Sequence, residues 1–178
     1  HKKINFADIA LSVFCMIYIT ASMLHIVSTK KLPMGDINIF LIFIGAFATD
    51  TCAYFVGVLF GKHKLCPEIS PKKTIEGSIG GTLFCALSYL VLGIVAEVFL
   101  NCEANLIFLT VSGIFISFIA QVGDLIMSVI KRHYGIKDYG KIFPGHGGML
   151  DRFDSILSVT LGVAAMCLIS YIFGISMM

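Results

Sequence analysis

Residues 128–155, SVIKRHYGIKDYGKIFPGHGGMLDRFDS, form a polar stretch inside an otherwise oily chain. This stretch holds five of the 13 Lys and Arg residues, three of the 11 acids, two of the five His and five of the 17 Gly. Upstream of it, Gln121, Asp124, Ser128 and Lys131 follow at spacings of three and four, which predicts a helix with one polar face. Downstream, Asp151, Asp154, Ser155 and Ser158 repeat that spacing on an outgoing helix. Between them, Pro144-Gly145-His146-Gly147-Gly148 predicts a sharp turn, because Gly accepts positive φ and lets a ligand approach the backbone. The stretch is therefore expected to bring two carboxylate faces together beside a basic loop. Carboxylates suit a hard divalent cation such as magnesium, and Lys and Arg suit phosphate oxygens.

Outward from this stretch the chain is apolar. Of its 178 residues, 57% are hydrophobic and 13% charged, with a mean hydropathy of +0.92, whereas a soluble domain carries about 25% charged residues. Long continuous apolar runs predict an all-α, polytopic integral membrane protein rather than a barrel. Five spans are expected: Ile4–Val27, Asp36–Gly61, Gly77–Leu100, Ala104–Ile130 and Met149 to about Gly174. No repeat or soluble linker interrupts them, so residues 1–178 read as a single membrane domain. The first run is too long for a secretory signal and lacks its cleavage site. The start at His1 rather than Met predicts a fragment of a longer protein. Six cysteines show no metal-ligand spacing, and most sit in or at the ends of apolar runs, so free thiols are expected.

Basic residues orient the spans. With both polar loops on the cytoplasmic side, that side holds Lys2, Lys3, Lys62, Lys64, Lys72, Lys73, Lys131, Arg132, Lys137, Lys141 and Arg152, leaving Lys30 and Lys31 opposite. At about 1.5 Å per residue, Asp124 and Asp151 fall at the cytoplasmic boundary and Asp50 somewhat deeper, so all three can line one cavity. An Asp at mid-membrane costs about 2.5 to 3.5 kcal/mol on insertion scales, so Asp50 should face protein or a polar cavity. In the loop 62–76, Ser70-Pro71 predicts a helix start, with Ser at the N-cap and Pro in the first turn. Its free N–H groups beside Lys72, Lys73 and Thr74 would suit a phosphate. A membrane-surface helix with snorkelling lysines accounts for the same residues. Gly77 and Gly81 permit close helix packing.

Ser128, Lys131-Arg132, Lys137-Asp138, Gly140, Pro144-Gly-His-Gly-Gly148 and Asp151-Arg152-Phe153-Asp154 closely resemble the signature of phosphatidate cytidylyltransferases, also called CDP-diacylglycerol synthases. Ser70-Pro-Lys-Lys-Thr74, Glu76-Gly77 and Gly80-Gly81 resemble a second block of that family. The resemblance implies transfer of CMP from CTP to phosphatidate, giving CDP-diacylglycerol and pyrophosphate. It implies Asp124, Asp151, Lys131 and Arg132 as the catalytic set, with magnesium on Asp124 and Asp151, helped by Asp154, and a second cation nearby. Substrate contacts are implied for Asp50, Ser70, Lys72, Lys73, Thr74, Ser128, Lys137, Asp138, His146, Gly147 and Arg152. His146 is as well suited to shaping the turn as to touching substrate, and Asp138 to orienting Lys131 or Lys137. Expected partners are CTP, phosphatidate, the lipid bilayer and a second copy of the chain, with no nucleic acid. The expected location is a bacterial inner membrane, with the site facing the cytoplasm. Members of the family usually carry further N-terminal membrane helices, so this chain would be the C-terminal catalytic part.

Other readings remain open on the residues alone. Asp151 and Asp154 could pair with Arg152 or simply favour a helix N-terminus. The basic residues could be an ordinary cytoplasmic belt. A related cytidylyltransferase acting on another lipid phosphate would share every feature above. An ion-coupled transporter would use Asp50, Gln121 and Asp124 as an ion path, but it predicts polar residues continuing to the opposite side. The outer parts of the fourth and fifth runs, 106–120 and 159–171, offer only scattered hydroxyls. No G-x-x-x-x-G-K-[ST] occurs, so an ordinary P-loop is not expected.

Overall fold

In hydrocarbon no water is present to satisfy backbone N–H and C=O groups, so an apolar run must bond to itself. The computed structural model describes residues 5–31, 34–101, 103–140 and 148–174, and there the apolar runs are helices α1 (Phe6–Thr29), α2 (Gly35–Phe60), α3 (Ile75–Leu100), α4 (Leu106–His133) and α5 (Leu150–Phe173). All five are long and apolar enough to cross a bilayer. The protein is an all-α, polytopic integral membrane protein. The helix starts are capped by polar side chains. Asn5 and Asp8 form a reciprocal capping box on α1, the Thr74 hydroxyl accepts from Gly77 N–H at 3.1 Å on α3, and Asn105 accepts from Phe108 N–H at 3.0 Å on α4.

The helices pack in the spatial order α2, α3, α4, α5, α1, with α5 also touching α2. Leu41, Ile42, Tyr89, Leu109, Ile116 and Val159 close the centre, where the Tyr89 hydroxyl donates to the Leu41 carbonyl at 2.8 Å. Elsewhere large apolar side chains face outward, among them Phe47 and Phe55 on α2, Leu83 on α3 and Phe118 on α4, as expected where the solvent is lipid. Small residues bring α2 and α3 together: a Cβ on Gly77 would lie 2.5 Å from the Ala53 carbonyl oxygen, and one on Gly81 would lie 2.8 Å from that of Thr49. The close packing expected of Gly77 and Gly81 is therefore present.

One expectation fails between α2 and α3. Ser70-Pro71 does not begin a helix. Instead β1 (Lys64–Cys66) and β2 (Ser70–Thr74) form an antiparallel ribbon, with Lys64 opposite Thr74 and Cys66 opposite Ser70, and α3 starts only after Thr74. Pro71 is tolerated because a two-stranded ribbon has a free edge on each strand, where its missing N–H costs nothing. The Thr74 hydroxyl then supplies the helix cap that Ser70 was expected to give. The ribbon is tied to α3 at its base, where His63 Nδ1 meets Glu76 Oε1 at 2.7 Å and Ile75 N–H donates to the His63 carbonyl at 3.0 Å.

The ribbon, the start of α1 and the segment after α4 lie at one end of the bundle. Arg132 Nε donates to the Ile69 carbonyl in the ribbon turn at 3.3 Å, and the Tyr134 hydroxyl donates to Asp8 at 2.8 Å. The helix α4 stops because Gly135 adopts φ +67°, letting Gly135 and Ile136 N–H return to the Arg132 and Lys131 carbonyls at 3.0 Å.

Candidate active site

At that end, a cavity of about 260 Å³ opens between the ribbon and the helices. Asp50 and Tyr54 of α2, Ser70, Lys72 and Lys73 of β2, Ser78 of α3, and Gln121 and Asp124 of α4 line it. Both lysines come from β2, Lys72 exposed and Lys73 half-buried. Lys73 Nζ lies 2.5 Å from Asp124 Oδ2, with both side chains about one quarter exposed. Ser128 is buried one helical turn away and donates to Asp124 Oδ1 at 3.4 Å, so it supports that carboxylate.

Deeper in, Asp50 accepts from the Ser155 hydroxyl at 2.6 Å. Asp154 is buried and accepts from Ser155 N–H at 2.8 Å. Asp124 lies within electrostatic reach of both Asp50 and Asp154, so three helices converge on one negative region, and Asp50 faces protein and cavity as its cost in lipid requires. Gln121 fills the adjacent face, accepting from the Ser78 hydroxyl and donating to Ser117 at 3.1 Å and Thr82 at 3.2 Å.

Asp151 does not line this cavity. Its Oδ1 receives Lys131 Nζ at 2.9 Å, and its Oδ2 receives Tyr139 N–H at 2.8 Å and Gly148 N–H at 2.9 Å. A single carboxylate therefore gathers the last turn of α4 and both sides of the glycine-rich segment. Gly148 packs against the backbone of Gly140, where a side chain would collide. Lys131 also lies 5.4 Å from the Tyr139 ring centre, a cation–π distance. Burial pushes the Tyr139 phenol up to about 12, so it stays protonated and donates to the Met127 carbonyl at 3.1 Å.

The remaining expected site residues divide. Asp138 was expected to orient Lys131 or Lys137; Lys131 instead goes to Asp151, and among the described residues Asp138 makes no ion pair with either. Lys137 and Asp138 are exposed on the segment after α4, and Arg152 is exposed on α5. Among the described residues, the cation paired with Asp151 is Lys131. Arg132 spans two loops through the Ile69 carbonyl and the Ile136 carbonyl at 3.4 Å. His146 and Gly147, with most of the expected turn, lie outside the described residues. Sequence reasoning missed the helix stop at Gly135, although Gly directly after the basic run Lys131-Arg132-His133 is a recognisable terminator. It also missed Tyr139, for which no local signal exists.

The sequence pattern of the cytidylyltransferase family matches residues 1–170. The chain belongs to the cytidylyltransferase family. Among relatives, the phosphatidate cytidylyltransferase of Staphylococcus haemolyticus is 43% identical over 158 residues. Those of Staphylococcus saprophyticus and Staphylococcus aureus are 41% identical over the same length. In each case the match covers 89% of this chain and 58% of the relative, so this cytidylyltransferase-family chain spans a little over half the length of those relatives.

Proposed function

We propose that this chain carries the catalytic core of an enzyme that transfers CMP from CTP to phosphatidate. The observation that carries the reading is the cavity where Lys72 and Lys73 face Asp50 and Asp124 at the polar end of the bundle. The relatives named above supply the substrate pair. A phosphate oxygen of phosphatidate attacks the α-phosphorus of CTP, the bond from that phosphorus to the bridging oxygen breaks, and pyrophosphate leaves with the electron pair. No protein nucleophile is needed. The protein must hold two polyanions in line and offset their repulsion. Lys72 and Lys73 are placed to take triphosphate oxygens, and Lys131, once free of Asp151, the lipid phosphate.

Magnesium fits the residues present. Among the described residues no group of three or more His, Cys, Asp or Glu is close enough to form a closed cage. Magnesium commonly binds through one or two carboxylates, with water and substrate phosphates completing its octahedron. Asp124, which lines the cavity, would hold it, joined by Asp151 only once that carboxylate leaves Lys131, with Asp154 the third carboxylate, and the ion would supply charge neutralisation at the phosphates. The excess of basic residues at the ribbon end supports a cytoplasmic site in a bacterial inner membrane. A homodimer belongs to the same reading, and crosslinking in native membranes tests it. The main test uses the full-length polypeptide in phosphatidate-containing micelles with labelled CTP. CDP-lipid and pyrophosphate should appear in equal amounts. No CDP-lipid from any lipid phosphate offered, with the protein folded, would defeat the proposal.

A further inference from the structure

Both carboxylates proposed to hold magnesium are already paired with an ammonium group, but the two pairs are built differently. Asp151 has three donors, and its pair with Lys131 is nearly closed to solvent, at 12% and 9% side-chain exposure. Asp124 has Lys73 and one long bond from Ser128, and its pair opens to the cavity at 25% and 24% exposure. Lys73 is also carried by a two-stranded ribbon outside the bundle, whereas Lys131 extends from a packed span. Asp124 repels both Asp50 and Asp154, and Lys73 is the lysine whose charge offsets this at Asp50. In this structure the cation that stands on Asp124 is the Lys73 ammonium.

We infer that the Lys73 ammonium holds the place of the divalent cation on Asp124, and that cation binding and the turning of Lys73 to the triphosphate are one exchange. The inference rests on the cytidylyltransferase reading and adds to it a coupling between two ligands. Before the exchange, one ammonium neutralises one carboxylate. Afterwards the metal neutralises Asp124 and the nucleotide phosphates neutralise Lys73. Neither Asp124 nor Lys73 is left without a partner at either stage, which matters because an unpaired charge in a partly buried site is expensive. A divalent cation arriving alone must displace Lys73 without giving it a new partner. One arriving with a triphosphate supplies both partners, so the site favours the metal–nucleotide complex over the free metal.

Binding linkage is reciprocal, so the exchange makes a signed prediction. Removing the Lys73 charge should tighten free-cation binding and weaken nucleotide binding. The test uses the full-length polypeptide in detergent without nucleotide, with free Mn²⁺ read by electron paramagnetic resonance. Lys73→Met should tighten Mn²⁺ binding about fivefold or more, the low end for coupled sites. The same variant should weaken CTP binding by a similar factor. Lys73→Arg, which keeps the charge, should bind Mn²⁺ as wild type does and guards against loss of fold as the cause. Lys62→Gln removes an exposed charge outside the cavity and should leave Mn²⁺ binding unchanged. Unchanged or weaker Mn²⁺ binding in Lys73→Met, with the site lost in Asp124→Asn, would overturn the exchange and leave the metal assignment standing. An equal gain in Lys62→Gln would also overturn it, as a general effect of surface charge. Mn²⁺ binding by Asp124→Asn equal to wild type would instead defeat the metal assignment itself, and the exchange with it.

Discussion

Asp151→Ala should loosen Tyr139 and Gly148, the two residues whose N–H groups the carboxylate holds, before anything else in the fold is affected. The substitution removes the Lys131 pair at 2.9 Å and the bonds from Tyr139 N–H at 2.8 Å and Gly148 N–H at 2.9 Å. Breaking a nearly buried pair by removing one partner costs about 3 to 5 kcal/mol, because the other charge is left unmatched. The Tyr139 ring beneath Lys131 offsets part of this, so about 3 kcal/mol is expected. At about 1.4 kcal/mol per tenfold, that is roughly a hundredfold loss of protection against amide exchange if these residues open locally. Lys131→Met should cost less, about 1 to 2 kcal/mol, since Asp151 keeps two N–H donors. The double variant leaves no unmatched charge, so its cost should fall short of the sum by about 1 to 2 kcal/mol. Hydrogen exchange at Tyr139 and at residues 148–150, with metal chelated, measures all three. Unchanged protection in Asp151→Ala, or strict additivity in the double variant, would refute the clasp.

Arg132→Lys should lower turnover at least tenfold, because one ammonium cannot reach both the Ile69 and Ile136 carbonyls that the guanidinium spans; Lys62→Gln, assayed beside it, should be nearly silent. Gly77→Val should cost about 1 to 3 kcal/mol in thermal unfolding in detergent, since the added Cβ would meet the Ala53 carbonyl, the Gly57 backbone and the Thr74 hydroxyl that caps α3. Tyr139→Phe should cost about 1 kcal/mol through the lost bond to Met127. It should leave the pH–rate profile unchanged up to about pH 10, because a phenol raised to about 12 is neutral throughout that range. Single cysteines at Lys72 and Lys137 should resist an impermeant thiol reagent in right-side-out vesicles, and labelling from outside would reverse the proposed orientation.

The spans were legible because each is a long apolar run bounded by polar residues, and the helices fall within a few residues of the expected limits. The polar faces were also legible: spacings of three and four placed Asp124 and Ser128 together on α4, and Asp154 and Ser158 on successive turns of α5. The ribbon was not. Ser-Pro-Lys-Lys-Thr has the local chemistry of a helix start, and only pairing with Lys64–Cys66, a contact between segments, decides for strand. Nor could spacing reveal which lysine meets which acid. Lys73 and Asp124 are 51 positions apart in the chain, and Lys131 passes over the nearby Asp138 for Asp151.

The division of charge between elements has a physical cause. Asp50, Asp124, Asp151 and Asp154 all stand on α2, α4 and α5, while Lys72 and Lys73 stand on β2 and Lys131 in the last turn of α4. Carboxylates are short and need neighbours to offset their burial, so rigid spans with Ser128 and Ser155 beside them are the places that can hold acids close together. Lysines have long flexible stems and can reach inward from the membrane surface. With acids fixed and bases carried at the rim, the site can change its pairing without moving a span. On the proposed function, a substrate bearing phosphates would compete for the lysines and a divalent cation for the carboxylates, each making room for the other. That arrangement would suit the proposed reaction, in which nucleotide and metal enter together from water while the lipid stays in the bilayer.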